Sequence, residues 1–291
     1  MPSIISILNH SLKKKLIVAI FLVLSSAVAA QLPAAASDTR YVSIGASSKH
    51  YTDPFSGAVN QAALAQVQHP GAGVYGSRLF MLKELSSYIA CIALPVKKGG
   101  LGLVARYFGG SYYNQSQLGI GYGRTLHPVL DIGIQFNYNR RALTGYGSNS
   151  SLSVEAGLLI HISTPLHIGI HIYQPAAPKY GIDKSEQYSS VLTTGIGYEA
   201  SDKLFISADF VKEQGQSVAI STAMQYIFAR QLFTRLGITG TTGNYFFGLG
   251  VQWKNYRVDI NSSWHARLGF SPGIMIIFCR QPTSQQDEAQ K

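Results

Sequence analysis

The chain is poor in charge: Asp, Glu, Lys and Arg make up 13% of its 291 residues, against about 25% in a typical soluble domain. Hydrophobic residues reach 46%. Beyond residue 30, however, no apolar run attains the ~18 residues that a spanning helix needs. Runs of Lys and Arg are also missing from that part. The formal charge is +10, of which Lys13, Lys14 and Lys15 supply three, and the other cations are scattered. This pattern argues against nucleic acid as a partner. Low charge, much apolar surface and no spanning helix leave a closed sheet as the way through lipid, since only helices and closed barrels satisfy their backbone there.

What the chain does have, from about Gly73 to Phe278, is recurring alternation. Between Val129 and Arg141, Leu130, Ile132, Ile134, Phe136 and Tyr138 fall on one face. Asp131, Gly133, Gln135, Asn137, Asn139 and Arg141 fall on the other. Successive side chains of a strand face opposite sides, so the segment has one oily and one polar wall. Strands are expected at about 72–81, 85–95, 101–109, 115–125, 129–141, 151–163, 166–174, 189–199, 203–212, 217–229, 231–240, 244–253, 256–264 and 267–278. The fold expected is an all-β, closed antiparallel transmembrane barrel of about 14 strands, with a short N-terminal plug.

Four parts follow: a signal peptide at 1–30, a plug or hatch at 31–70, the barrel at 71–279 and a polar tail at 280–291. Lys13–Lys15, the apolar Leu16–Leu24 and the small residues Ser25–Ala30 give the leader its three regions, with cleavage before Ala30 or Gln31. No Cys follows that zone, which argues against a lipoprotein. Tight connections (Lys97–Gly100, His127–Pro128, Thr164–Pro165, Ser201–Asp202, Arg230, Lys254–Asn255) follow even-numbered strands. The longer links, Leu143–Ser150 and Pro175–Gln187, follow odd-numbered ones. That parity places the longer loops outside and both termini in the periplasm of a Gram-negative outer membrane.

Tyr245 with Trp253, and Tyr256 with Trp264, bracket two strands on the oily face. Their eight-residue spacing spans about 26 Å, or about 20 Å after tilt, which suits two interfacial belts. A soluble sandwich would instead need an exterior rich in Lys and Glu, and the non-oily face is Gly, Ser, Thr and Asn. Cys91 falls on the second strand and Cys279 just past the last, about 9–10 Å apart across a closed barrel and too far for a disulfide.

Ahead of the first strand, Thr52–Val67 contains an Ala-rich stretch expected to form a helix from near Asn60. Asp53-Pro54-Phe55-Ser56 followed by Asn60-Gln61-Ala62-Ala63-Leu64-Ala65 resembles the Asp-x-x-Ser … Asn-Pro-Ala-x-Leu signature of the FadL superfamily. The resemblance implies a fourteen-stranded barrel with a hatch built on Asp53, Ser56, Asn60, Gln61, Ala62 and Leu64. Gln61 stands where that family usually has Pro, and Val42–Ala46 is a loose counterpart of its upstream Gly-rich stretch. The compact length and the ending Leu268–Pro272 look more like the PorV and PorQ barrels of type IX secretion in Bacteroidetes than like the fatty-acid transporters.

By parity the lumen carries Arg106, Asp131, Arg141, Glu155, His161, His167, His171, Glu199, Asp209, Arg235, Arg257 and Asp259. These suit either a polar pathway and plug latch or simple charge pairing that fills the interior. His161, His167 and His171 do not make a metal site: residues four apart on a strand lie ~13 Å apart, so one of the last two at most can join His161. His161 and Ser163 share a strand without a third group, so no catalytic triad is implied. Gly119, Gly121 and Gly123 have strand period, not that of a phosphate loop. They fit sheet curvature or close approach of the plug. No enzyme activity, metal or cofactor is expected.

Two functions compete. One is passage of a small hydrophobic molecule from outside, with release through the wall at a lateral-gate kink at Pro272 and Gly273, since Pro removes a ladder donor. The other, implied by the resemblance, is a secretion-associated barrel that binds or shuttles exported proteins. A structural barrel without cargo is the third reading. Partners expected are outer-membrane lipid, a hydrophobic small molecule or secretion-complex proteins, and the barrel-assembly machinery during biogenesis.

Overall fold

A computed structural model describes residues 44–175, 179–180, 186–187, 190–214, 216–229, 231–240 and 244–280. The expected leader and most of the expected tail lie outside them. The first half of the sheet comprises β1 (Gly71–Arg78), β2 (Ser86–Val96), β3 (Gly99–Gly109), β4 (Tyr113–His127), β5 (Leu130–Leu143), β6 (Gly147–His161) and β7 (Leu166–Tyr173). A small ribbon follows, β8 (Lys179–Tyr180) on β9 (Glu186–Gln187). The second half comprises β10 (Val191–Ser201), β11 (Leu204–Glu213), β12 (Ala219–Ala229), β13 (Leu232–Thr239), β14 (Asn244–Trp253), β15 (Tyr256–His265) and β16 (Gly269–Cys279). Apart from β8 and β9, every strand pairs antiparallel with its chain neighbours, and β1 pairs with β16. The result is a closed barrel of fourteen strands.

The alternation places the side chains. On β5, Ile132, Ile134, Phe136 and Tyr138 are exposed outward, whereas Asp131, Gln135 and Asn137 are buried inside. The same outward belt of aliphatic and aromatic side chains runs over the whole sheet, through Leu118, Ile196, Leu249, Ile260 and Ile276 among others. A continuous apolar exterior on a closed hydrogen-bonded sheet is the surface that hydrocarbon solvates, with no backbone edge left open. No helix among the described residues is long and apolar enough to cross a membrane.

One end of the barrel carries the short connections 97–98, 128–129, 202–203 and 254–255, together with 162–165. The other carries 79–85, 110–112 and the long passage 174–190. One expectation is corrected there. Leu143–Ser150 is not a loop: the β5–β6 ladder continues to Leu143↔Gly147, which leaves a tight turn at 144–146. Ser and Asn in that stretch are compatible with a strand that has passed beyond the apolar zone. Consequently β4, β5 and β6 (15, 14 and 15 residues) stand taller than β3 and β7 (11 and 8).

Candidate functional site

Residues 44–67 fold into the lumen at the tight-turn end as a hatch. It consists of a 3-10 turn (Ile44–Ser47), one α-helical turn (Ser56–Val59) and a 3-10 helix (Gln61–Gln66). The expected helix near Asn60 is thus a 3-10 helix, which Asn60 caps by accepting the Ala62 N–H at 3.1 Å. The hatch rests on inward-facing glycines. A Cβ at Gly133 would stand 2.2 Å from the Gln61 carbonyl carbon, and one at Gly157 2.1 Å from Asn60 Oδ1. At Gly123 it would stand 2.5 Å from Gln61 O, and at Gly197 1.9 Å from Ser47 O. Real Cβ atoms do not approach so closely, so these glycines admit the hatch backbone to the wall. Leu64 fills the space over Gly102 and Gly121, and Ala62 is fully buried.

Polar contacts tie the seated hatch at three places. At the first, Gln61 donates its amide to Glu155 at 2.8 Å, and Arg106 meets both Glu155 (3.9 Å) and the Ala58 carbonyl. His171 joins the same carboxylate at 3.0 Å. At the second, Gln66 donates to Asp131, while Ser48 donates to Glu199 at 2.6 Å. Asp131 continues to His161 and on to His167, whose rings meet edge-to-face. At the third, Asp53 faces Arg257 at 3.0 Å and Arg235 at 3.8 Å, and both arginines also contact Asp259. The Asp53 carboxylate accepts the Phe55 N–H at 2.9 Å, and Ser56 Oγ accepts the Asp53 N–H at 3.0 Å, so the same acid shapes the hatch turn. Asn60 Nδ2 donates to Leu158 O at 3.2 Å.

The lumen is not polar all round, contrary to the expectation of a single oily face on every strand. Around β16, β1, β2 and β3 the inward side chains include Met275, Ile277, Tyr75, Ile89, Cys91 and Val104, all buried in one cluster with Phe55 and Ala58 of the hatch. The Phe55 ring lies over Gly73, where a Cβ would come within 2.5 Å of it. Nearby, the Phe233 ring occupies the space over Gly250 of the adjacent strand, with the Arg257 and Arg235 guanidiniums 5.2 and 5.6 Å from its ring centre. β2 and β16 are apolar on both faces, a signal that alternation alone passes over.

The seam beside this cluster is short. β1 pairs with β16 only as far as Ser77↔Gly273, although β15 remains paired past Ser262↔Pro272. Pro272 has no N–H to offer β1. Beyond it the chain turns at Phe80 and Met81, both at positive φ (53° and 60°), and the Phe80 N–H donates to Ser271 Oγ at 2.9 Å. Elsewhere on the inner face, Arg141 lies half-buried toward the loop end, and half-buried Asp209 stands opposite Gly195, beside Ser47 of the hatch. On the outer face Tyr245 stacks beside Trp264 (5.9 Å), and Trp253 pairs with Tyr256 at the opposite rim. Cys91 and Cys279 are free, and Cys279 is the last residue of β16, not the first beyond it.

A cavity of about 500 Å³ opens at the tight-turn end between hatch residues His50–Asp53 and the wall, where Glu199, Gln225, Tyr256, Arg257 and Ile277 line it. Tyr51 stands at its edge, stacked on Phe205 (5.1 Å) and donating to Ser201 O at 2.8 Å. Burial, with Glu199 and Asp202 nearby, pushes the Tyr51 phenol up to about 12.

No protein-family model matches the chain. No curated protein matches it in sequence. Solved structures do resemble it. The P. putida toluene transporter TodX aligns with a TM-score of 0.57 at 10% identity over 80% of this chain and 95% of its own. The Ralstonia pickettii toluene transporter TbuX aligns with 0.54 at 11% identity, over 78% and 92%. A Pseudomonas aeruginosa FadL homologue aligns with 0.53 at 10%, over 81% and 96%. At such identities the likeness is one of fold: this chain has the barrel fold of the FadL-type proteins.

Proposed function

We propose that this chain is an integral outer-membrane barrel that passes small hydrophobic molecules, entering at the loop end and leaving through the wall. The tight-turn end, with both termini, faces the periplasm. One observation carries the reading: an apolar strip inside the lumen, Met275, Ile277, Tyr75, Ile89 and Val104, closed from below by Phe55 of the hatch. An aqueous pore has no use for such a strip, whereas an apolar solute partitions onto it with ~25 cal/mol per Å² of buried surface. The strip adjoins the seam where the β1–β16 ladder stops at Gly273, which gives a lateral way out. TodX and TbuX, similar in fold, are toluene transporters.

The test is uptake of toluene by a deletion strain carrying the wild-type gene or Met275→Asp. Wild type restores uptake and the variant, with a charge in the strip, does not. Uptake that the deletion leaves unchanged would remove the proposal.

A second reading is a secretion-associated barrel of the PorV/PorQ kind, favoured by the tall β4–β6 fin. Tyr112 and Tyr146 at its tip are more than three-quarters exposed, and exposed apolar groups above a membrane rim mark contact surfaces. Loss of exported proteins on deletion would select this reading, and a full exported set would discard it.

A further inference from the structure

Four side chains stand in line across the wall of the lumen: Asp131 on β5, His161 on β6, His167 on β7 and Glu199 on β10. His161 Nε2 lies 2.9 Å from Asp131 Oδ2, and its Nδ1 lies 2.9 Å from His167 Nδ1. His167 Nε2 lies 3.2 Å from Glu199 Oε1. Asp131 and His167 are essentially without solvent contact, and the other two side chains are 8% exposed.

Both ends of the line are gripped by the hatch. Gln66 donates to Asp131 Oδ2. Glu199 Oε1 accepts from Ser48 Oγ, from the Lys49 N–H at 2.8 Å and from the His50 N–H at 3.1 Å, while His50 Nδ1 meets Oε2. Successive N–H groups turned on one oxygen form an anion nest, which requires Glu199 as a carboxylate.

The line has three gaps and each needs a proton, but two neutral imidazoles carry only two. If His161 Nε2–H serves Asp131 and His167 Nδ1–H serves His161, a lone pair on His167 Nε2 faces a carboxylate lone pair across 3.2 Å. A third proton, on His167 Nε2, turns that repulsion into an ion pair across 3.2 Å. The carboxylates are held where they are by the hatch, so the demand for the third proton exists only while the hatch is seated.

We propose that seating of the hatch is coupled to uptake of one proton by the His161–His167 pair, so that the hatch is a proton-linked latch. Other ionisable groups face this line. Glu155, with His171 and Arg106 on it, lies on the same inner surface, and Asp209 stands opposite Gly195. On the hatch side are His50, Lys49 and Tyr51, with Asp202 beyond. Of these, His50 is the imidazole that touches the line itself, so the test must separate it.

The test is amide hydrogen exchange of residues 44–67 in the full chain in detergent micelles from pH 5 to 9, corrected for intrinsic rates. Heat-modifiable gel migration confirms the barrel in each variant. With one proton taken up on seating, hatch protection is greatest at the acidic end and falls about tenfold per pH unit above the imidazole range. His50→Gln keeps this slope. His161→Gln/His167→Gln loses it. Asp131→Asn is the second, conservative probe: its amide donates to His161 Nε2 and the Gln66 side chain turns its carbonyl onto it, so two neutral imidazoles complete the line and protection persists, flat with pH. A flat wild-type profile, a slope surviving in either the double variant or Asp131→Asn, or a slope abolished by His50→Gln would overturn the latch.

Discussion

The two sides of the lumen hold the same hatch by different physics. From β4 round to β15 the wall offers glycines, carboxylates, imidazoles and guanidiniums, so the hatch is fixed by directional bonds and ion pairs such as Gln61–Glu155, Ser48–Glu199 and Asp53–Arg257. From β16 through β3 the wall is largely apolar, Arg106 apart, and the hatch meets it chiefly with Phe55 and Ala58. Hydrogen bonds and ion pairs specify one geometry, whereas apolar contact tolerates exchange of one hydrophobic occupant for another. The polar side is therefore the hinge-like anchor. The apolar side is where a hydrophobic solute can take the place of Phe55 without breaking a bond.

The largest way to break this contrast is to fill the glycine seat. Gly133→Val puts a side chain into the Gln61 main chain, 2.2 Å from the first atom added, and neither backbone can yield. The hatch is expected to lose its seat completely. Amides 44–67 would exchange as an open chain and planar-bilayer ion conductance would rise, while the barrel keeps its heat-modifiable migration. Next come two substitutions of similar size and different consequence. Asp53→Ala removes the carboxylate that bridges Arg257 and Arg235, at a cost of about 3–5 kcal/mol to hatch seating. Phe55→Ala empties a buried aromatic site for about 3–5 kcal/mol. The first should raise ion conductance; the second should raise toluene uptake and leave conductance low. Equal effects on both readouts would abolish the distinction between the two sides.

Most of the barrel was legible because lipid imposes one rule on every strand: an apolar residue outward at each second position. Ile132–Tyr138 obeys it, and so do the aromatic pairs Tyr245–Trp264 and Trp253–Tyr256. The inside is harder to read. Its apolar strip requires knowing that β16 closes onto β1, since Met275 and Tyr75 are 200 positions apart in sequence and become neighbours only through the Tyr75↔Met275 register. Inward Ile89 and Cys91 were hidden for a simpler reason: on a strand apolar on both faces, alternation vanishes. The glycines at 119, 121 and 123 suggested close approach of a plug, but the seat they share with Gly133, Gly157 and Gly197 depends on where the hatch lies. The β5–β6 hairpin misled in the opposite sense. Its Ser and Asn residues look like loop, yet there the sheet has risen out of the zone where apolarity is required.

A smaller test asks how much each directional bond of the polar side contributes. Gln61→Ala leaves the buried Glu155 one donor short, and an unmet partner of this kind costs about 1–3 kcal/mol. Hatch protection should fall by roughly 5- to 150-fold, with no change in toluene uptake.

The smallest concerns Tyr51, whose hydroxyl bonds Ser201 O while its ring stacks on Phe205. Tyr51→Phe keeps the stacking and removes one hydrogen bond, for about 1 kcal/mol of seating. The pH window follows from the sign. The phenol is raised from 10.0 to about 12 in the seated hatch, so its contribution is complete below pH 10 and is lost as pH rises through 12. Wild type and Tyr51→Phe should therefore differ in hatch protection by a constant factor from pH 6 to 10 and converge above it. A difference that already closes between pH 6 and 8 would mean that the tyrosine, and not the buried imidazoles, senses protons at that edge of the hatch.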